Sequence, residues 1–274
     1  MFKVKDLFKK YPFSWSQLQY IFSSLFSEDI FRLYLENRYI DDSIVRRLNY
    51  VASLYSEGVP LEYILGKASF YGLSLRVNRS VLIPRPETEI MVEKVIDYLR
   101  NMSLSQFTVL DLGTGSGNIS LALAEMASAE ALIISSDISF SALEVAKENF
   151  AHYSCNNIYP LCANMFSAFK EKVFDIIVTN PPYVESTYLK KAPFLRHEPL
   201  LALQAGEDGL DFIRKIISQA GVFLKKKGRL FMEIGYNQAE RVKKELECSH
   251  KLRLVETFFD YTGKERIIVA ERIN

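Results

Sequence analysis

Cysteine is scarce in this chain. Three residues in 274, at positions 155, 162 and 248, form no C-x-x-C pair, which argues against a disulfide framework and for a reducing compartment, with the cytoplasm as the expected location. Net charge is scarce too: 34 Lys and Arg against 33 Asp and Glu leave +1, so the chain as a whole has no electrostatic grip on a phosphate backbone or an anionic membrane. No apolar run reaches the ~18 residues of a membrane span. The first segment (MFKVKDLFKKYPFSWSQLQYIF) carries lysines without an uninterrupted apolar stretch or a small-residue cleavage site, so no signal peptide is expected. His152, Cys155 and Cys162 lack a fourth ligand at metal-site spacing, and no metal is expected. No repeat or low-complexity tract is visible. What is present, 49% hydrophobic and 24% charged residues, suffices for an ordinary core in one large domain or two moderate ones.

The first third has a helical period. Leu18, Ile21, Phe22, Leu25 and Phe26 share one face, and Ile44, Leu48, Val51 and Tyr55 share another after Asp41-Asp42-Ser43, until Gly58 and Pro60 end the pattern. Residues 1–66 therefore read as a small all-helical domain. Tyr71, Leu73, Leu75 and Val77 then alternate as a strand does, ahead of a rigid Leu82-Ile83-Pro84-Arg85-Pro86-Glu87-Thr88-Glu89, and residues 67–89 read as a linker hairpin region. Arg85 and Glu89 are candidates to support a pocket, although Pro86-Glu87 also reads as a helix start. From residue 90 to 274, strands (107–112, 131–136, 173–178, 229–234) alternate with helices (118–127, 140–150, 210–225), which argues for a parallel sheet covered on both faces. Lys225-Lys226-Lys227-Gly228 reads as a basic helix end. The runs 252–259 and 266–270, joined by Asp260 to Glu265 without a helix, read as an antiparallel hairpin at the sheet edge.

The first of these strands runs into Gly113-Thr114-Gly115-Ser116-Gly117, and a helix follows. Glycines permit positive φ and close backbone approach to a ligand, and the helix N-terminus favours electron-rich atoms. The dinucleotide pattern G-x-G-x-x-G needs a glycine where Asn118 stands, which counts against a nicotinamide cofactor. Asp137, twenty residues beyond Gly117 at the end of the next apolar run, is placed to accept both hydroxyl hydrogens of a ribose. A purely structural reading, with Asp137 as the cap of the following helix, explains fewer of these coincidences.

A second strand, residues 173–178, ends at Thr179-Asn180-Pro181-Pro182-Tyr183. The prolines stop the strand where ligands gather in open α/β sheets. Asn180 offers a carbonyl acceptor, the Pro181 carbonyl a second, and Tyr183 a flat face, a set that suits a planar NH2 group. Two acceptors can hold both hydrogens of a poorly nucleophilic amide or exocyclic amine and stabilise the charge developing on its nitrogen.

Asp111 to Gly117, Asp137 and Asn180 to Tyr183 resemble the motifs of S-adenosylmethionine-dependent methyltransferases acting on planar amino nitrogens. With Pro60 to Gly66, Phe70-Tyr71-Gly72, Ile83 to Glu89, Glu198-Pro199, Gly206, Asp208-Gly209-Leu210, Glu233-Ile234-Gly235, Gln238, Asp260, Gly263 and Arg266, the chain is similar to the protein-(glutamine-N5) methyltransferase family from about residue 15 onward. That resemblance implies a Rossmann-like, seven-stranded α/β methyltransferase domain whose last strand is antiparallel, and a helical N-terminal domain that helps dock the substrate. It implies S-adenosylmethionine as cofactor and, as protein substrate and partner, class 1 peptide chain release factors, methylated on the glutamine of their Gly-Gly-Gln loop. Gly113, Thr114, Gly115, Ser116 and Gly117 would hold the methionine part of the cofactor and Asp137 its ribose. Asn180 and Pro181 would receive the glutamine amide, with Pro182 and Tyr183 completing the subsite and Asn180 also bordering the cofactor. At Asn164-Met165 relatives often carry an acidic and an aromatic residue; Asn164 can still hydrogen-bond and Met165 can still pack on adenine.

The same chemistry leaves open a ribosomal protein glutamine, or an exocyclic amine of adenine or cytosine in nucleic acid, although neutral charge and the lack of a basic, aromatic-interleaved segment speak against the latter. A non-catalytic cofactor-binding module and a nicotinamide oxidoreductase are weaker readings. His197, within Arg196-His197-Glu198-Pro199, is explained equally well by loop structure. Oligomeric state has no signature in the sequence.

Overall fold

The computed structural model describes residues 3–26, 28–101, 106–126 and 130–273, and the chain divides into two compact units, Met1–Lys67 and Ala68–Asn274. The first unit contains α1 (Leu7–Lys10), α2 (Trp15–Leu25), α3 (Ile30–Leu35), α4 (Asp42–Ser56) and α5 (Leu61–Leu65). Ser14 and Gln17 begin α2 reciprocally: the Gln17 N–H donates to Ser14 Oγ at 3.2 Å, and the Ser14 N–H to Gln17 Oε1 at 2.8 Å. Asp41 caps α4 by accepting from the Ser43 N–H. Gly58, at φ 84°, turns the chain after α4. The expected faces form the core, where Leu18, Ile21, Phe22, Leu48 and Val51 pack with Ile30 of α3.

The second unit begins with a two-stranded hairpin, β1 (Lys67–Phe70) and β2 (Leu73–Arg76). Tyr71, at φ 50°, lies in the turn and not in a strand. Phe70, Leu73 and Leu75 are buried with Ile90, Met91 and Val95 of α6 (Pro86–Asn101). The hairpin is thus part of this unit's core and not a linker, and the boundary expected between residues 89 and 90 falls inside α6, which Pro86 begins.

A seven-stranded sheet follows. Its strands and helices are, in chain order, β3 (Gln106–Leu112), α7 (Asn118–Met126), β4 (Glu130–Asp137), α8 (Phe140–His152), β5 (Ile158–Cys162), β6 (Phe174–Thr179), α9 (Ser186–Leu189), α10 (Asp211–Phe223), β7 (Leu224–Glu233), α11 (Ala239–Glu247), β8 (Leu252–Phe259) and β9 (Glu265–Arg272). Residue 127 of the expected 118–127 helix lies outside the described residues. The strand order is β5-β4-β3-β6-β7-β9-β8. β5, β4, β3, β6 and β7 pair in parallel, while β9 runs antiparallel to both of its neighbours. Successive residues point to opposite faces, so Val109 and Ile176 join α6 and α7 in one core, and Leu110 and Ile177 join α10 and α11 in another.

Lys225 to Lys227 belong to β7 and not to a helix end. The helix stops at Phe223, and Lys225 reaches across to Asp175 at 2.7 Å, where the register of β6 and β7 shifts. Among the described residues no helix is long and apolar enough to cross a membrane.

Candidate active site

β3 pairs with β4 on one side and β6 on the other, so the chain crosses the sheet in opposite directions from this point. Such a switch opens a crevice at the carboxyl ends of the strands. Both sequence motifs end there.

The glycine turn leaves β3 under the control of a buried carboxylate. Asp111 Oδ2 accepts from the Thr114 hydroxyl at 2.7 Å, the Ser120 hydroxyl at 2.6 Å and the Ser120 N–H at 3.2 Å. Burial pushes its carboxyl up to about 6, against the pull of these donors. The N–H groups of Gly113 and Thr114 donate to the Ser136 carbonyl at 2.8 and 2.9 Å, tying the turn to β4. Gly113 and Gly115 have φ 78° and 55°, and a Cβ on either would meet nothing within 4 Å. A Cβ on Gly117 would instead stand 2.5 Å from the Phe150 ring. The first two glycines thus face open space, and the third permits close packing on α8.

Asp137 ends β4, its Oδ2 accepting from the Gly115 N–H at 2.9 Å and its Oδ1 from the Ser139 N–H at 2.8 Å, and the Ile138 N–H also bonds to the carboxylate. A carboxylate offers about four acceptor sites, so capacity remains for a ligand hydroxyl. Burial raises its carboxyl above the usual range. Ser139, not Asp137, caps α8, accepting from the Ala142 N–H at 3.2 Å.

Beyond β6, whose residues are all buried, Thr179 donates its hydroxyl to the Leu112 carbonyl at 2.7 Å and joins the two strand ends. Asn180 Nδ2 donates to Thr88 Oγ1 at 3.1 Å. The Tyr183 hydroxyl donates to Glu233 Oε1 at 3.1 Å and accepts from Arg266 Nη2 at 3.1 Å. Burial and the neighbouring Glu233 both raise the tyrosine well above its ordinary pKa. Gln238 secures the following loop: its Nε2 donates to the carbonyls of Tyr183 and Gly209 at 3.0 and 3.1 Å.

These pieces border one cavity of about 430 Å³, whose wall includes Gly113 to Ser116, Asp137, Asn164, Met165 and Asn180 to Pro182. That volume suits a drug-sized ligand. Gly117 and Tyr183 are not part of the wall. Arg85 does line it and pairs with buried Glu198 at 2.5 Å, whereas Glu89 accepts from the Tyr71 N–H at 2.8 Å and holds the hairpin turn.

Residues 89–196 match the family model for the methyltransferase small domain. A release factor glutamine methyltransferase of Thermodesulfovibrio yellowstonii is 37% identical over 272 residues, covering 98% of this chain and 97% of its own. Those of Buchnera aphidicola and Bacillus anthracis are 41% and 39% identical, covering 83% and 78% of this chain and 81% and 77% of their own. The chain belongs to the release factor glutamine methyltransferase family. Among solved structures, a ribosomal protein L11 methylase from Lactobacillus delbrueckii subsp. bulgaricus (20% identity, TM-score 0.51, 69% of this chain and 81% of that one) and a methyltransferase from Pyrococcus furiosus (14%, 0.52, 84% and 98%) share the fold.

S-adenosylmethionine is the cofactor of this release factor glutamine methyltransferase family member, and the cavity fits it. Ser136 Oγ lies buried in the wall with no hydrogen-bond partner among the described residues, Asp137 has spare acceptor capacity, and the two glycines present backbone without Cβ obstruction. Met165, at φ 50°, and Asn164 follow β5, directed there by the Ala163 N–H, which donates to the Asp137 carbonyl at 3.0 Å.

Sequence reasoning gave no role to Thr88, Glu198, Glu233, Gln238 and Arg266, although all five stand in the motifs it noted. One signal was available: Glu233 is a charge at the carboxyl end of a buried apolar run, the position of Asp137 on its own strand. Away from the cavity, Cys155 donates its thiol to Glu125 Oε1 at 3.3 Å, and burial pushes that thiol up to about 11. Among the described residues no three His, Cys, Asp or Glu side chains gather as metal ligands.

Proposed function

We propose that this protein methylates the N5 side-chain nitrogen of the glutamine in the Gly-Gly-Gln loop of class 1 peptide chain release factors, with Asn180 and the Pro181 carbonyl accepting its two amide hydrogens. The observation that supports this most is the tether on Asn180. Its Nδ2 is engaged by Thr88, which leaves Oδ1, the acceptor end, for a ligand in the cavity that Asn180 borders.

When bound, S-adenosylmethionine supplies a methyl group on a cationic sulfonium that becomes a neutral thioether on transfer. Gly113 to Ser116 receive its methionine part, Asp137 its ribose, and Asn164 with Met165 its adenine. Asn180 and Pro181 draw the amide hydrogens out of plane, so the nitrogen lone pair is freed from resonance and aligned for in-line attack. The nitrogen gains the methyl and then sheds one proton to solvent. Tyr183, fixed by its hydroxyl to Glu233, braces the turn that carries both acceptors. The helical first unit contributes to release factor docking. Three free thiols and a substrate that works on the ribosome accord with a cytoplasmic enzyme.

Methyl transfer from labelled S-adenosylmethionine to purified release factor, to its loop Gln-to-Ala variant, to ribosomal proteins and to DNA tests this assignment. The expected result is label on the intact release factor alone. Label on ribosomal protein or DNA in preference to release factor contradicts it.

A further inference from the structure

An asparagine amide can face a substrate with either end, and only its oxygen accepts hydrogens. Three buried groups fix which end faces the cavity. Glu233, the last residue of β7, is fully buried. Its Oε2 lies 2.6 Å from Thr88 Oγ1, its Oε1 lies 3.1 Å from the Tyr183 hydroxyl, and Arg266 Nη2 stands 3.5 Å away. Burial raises this carboxyl above its ordinary value, against the pull of the Thr88 hydroxyl, the Arg266 charge and the Tyr183 hydroxyl. Because Arg266 donates to the Tyr183 hydroxyl, whose own proton then goes to Glu233, three donors converge on the group, the geometry of an ionised carboxylate, which only accepts. The Thr88 hydroxyl has a single proton, so it is committed to Glu233. Towards Asn180 it can then only accept, and it does so from Nδ2 at 3.1 Å. The direction of every hydrogen bond in the series follows from the charge at its buried end.

We propose that Glu233, acting through Thr88, is the positioning residue that sets the polarity of the Asn180 amide, holding its carbonyl oxygen towards the substrate NH2 group. The proposal rests on the reading in which Asn180 accepts the glutamine amide hydrogens. Thr88 lies in the first turn of α6, so the relay also brings a residue far upstream into the machinery. Reversing the charged end shows what is at stake. A glutamine at 233 can offer its NH2 to Thr88, whose proton then turns towards Asn180 and inverts the amide. The cavity would meet the substrate's NH2 with another NH2, donor against donor, and the resonance-breaking contact would be lost.

Steady-state kinetics on the full chain with release factor, at saturating S-adenosylmethionine, separate this from a structural role. Asn180→Ala sets the floor. Thr88→Val and Glu233→Gln are expected to lower kcat by about tenfold or more, with cofactor Kd, read by calorimetry, within about threefold of the parent. Thr88→Ser keeps the hydroxyl and should restore kcat to within about threefold. Adding Thr88→Val to Asn180→Ala should cost nothing more, because both remove one function. Wild-type kcat in Thr88→Val beside a crippled Asn180→Ala overturns the relay and leaves the proposed function standing. Multiplying losses in the double variant also overturn it, since they would come through the fold and not through Asn180. Near-normal turnover of Asn180→Ala overturns the reading beneath it. Should Glu233→Gln fail to fold, the Val and Ser variants at Thr88 still decide.

Discussion

The Gly115 N–H donates to Asp137 Oδ2 at 2.9 Å, so the glycine turn after one strand is fastened to the carboxylate that ends the next. The two halves of the cofactor site are thereby held at a fixed spacing before any ligand arrives, which limits the ordering cost of binding.

Asp137→Ala removes this tie together with the ribose acceptor. A hydrogen bond to a charged group contributes about 1.5–3 kcal/mol, so S-adenosylmethionine should bind about 10- to 100-fold more weakly by calorimetry. An unchanged Kd would deny Asp137 its place in the site.

Asn180→Ala should lower turnover on release factor by about a hundredfold or more while cofactor Kd is kept. The contrast with Asp137→Ala, which acts on Kd, is read from the same pair of assays.

Gly117→Ala and Gly115→Ala separate packing from backbone strain. Both positions have positive φ, which costs a side chain about 1–2 kcal/mol, but only at Gly117 would the new Cβ also strike Phe150, at 2.5 Å. Denaturant unfolding should show Gly117→Ala as the more destabilised, by about a further 1–3 kcal/mol. Equal losses would contradict the packing role.

Asp111 makes stability depend on acidity in the unusual direction for a carboxylate. Its folded pKa, pushed up to about 6 by burial, lies above the ordinary 3.8, so between these values the native state holds the proton more than the unfolded state does. This group therefore stabilises the fold most below about pH 4 and loses that contribution as pH rises through about 6, by up to about 1.4 kcal/mol per pH unit. The difference between the parent and Asp111→Asn should follow that slope in unfolding experiments from pH 4 to 6. A pH-independent difference would mean that Asp111 titrates alike in both states.

The parts of this molecule with strong local pattern were legible in the sequence. Phe107 to Leu112 and Val173 to Val178 are mostly apolar runs, broken only by Thr108 and Asp111 in the first and Asp175 in the second, and the glycines and prolines that end them announce the crevice. Other elements were masked by context. Pro160 interrupts β5, an edge strand whose remaining residues are mostly exposed, and Pro84-Arg85-Pro86 made the start of α6 look like a linker. Lys225 to Lys227 joined a strand because Asp175 on β6 waits for Lys225, a tertiary reason that local pattern cannot carry. The Thr88 and Glu233 contact spans 145 positions, and no spacing rule reaches that far.

The most direct test locates the methyl group. After reaction with S-adenosylmethionine, the release factor is digested and its loop peptide fragmented in a mass spectrometer. The account predicts one added methyl on the side-chain amide of the Gly-Gly-Gln glutamine, absent when Asn180→Ala replaces the parent at matched cofactor occupancy. A methyl carried on any other residue, or full modification by Asn180→Ala, would contradict it.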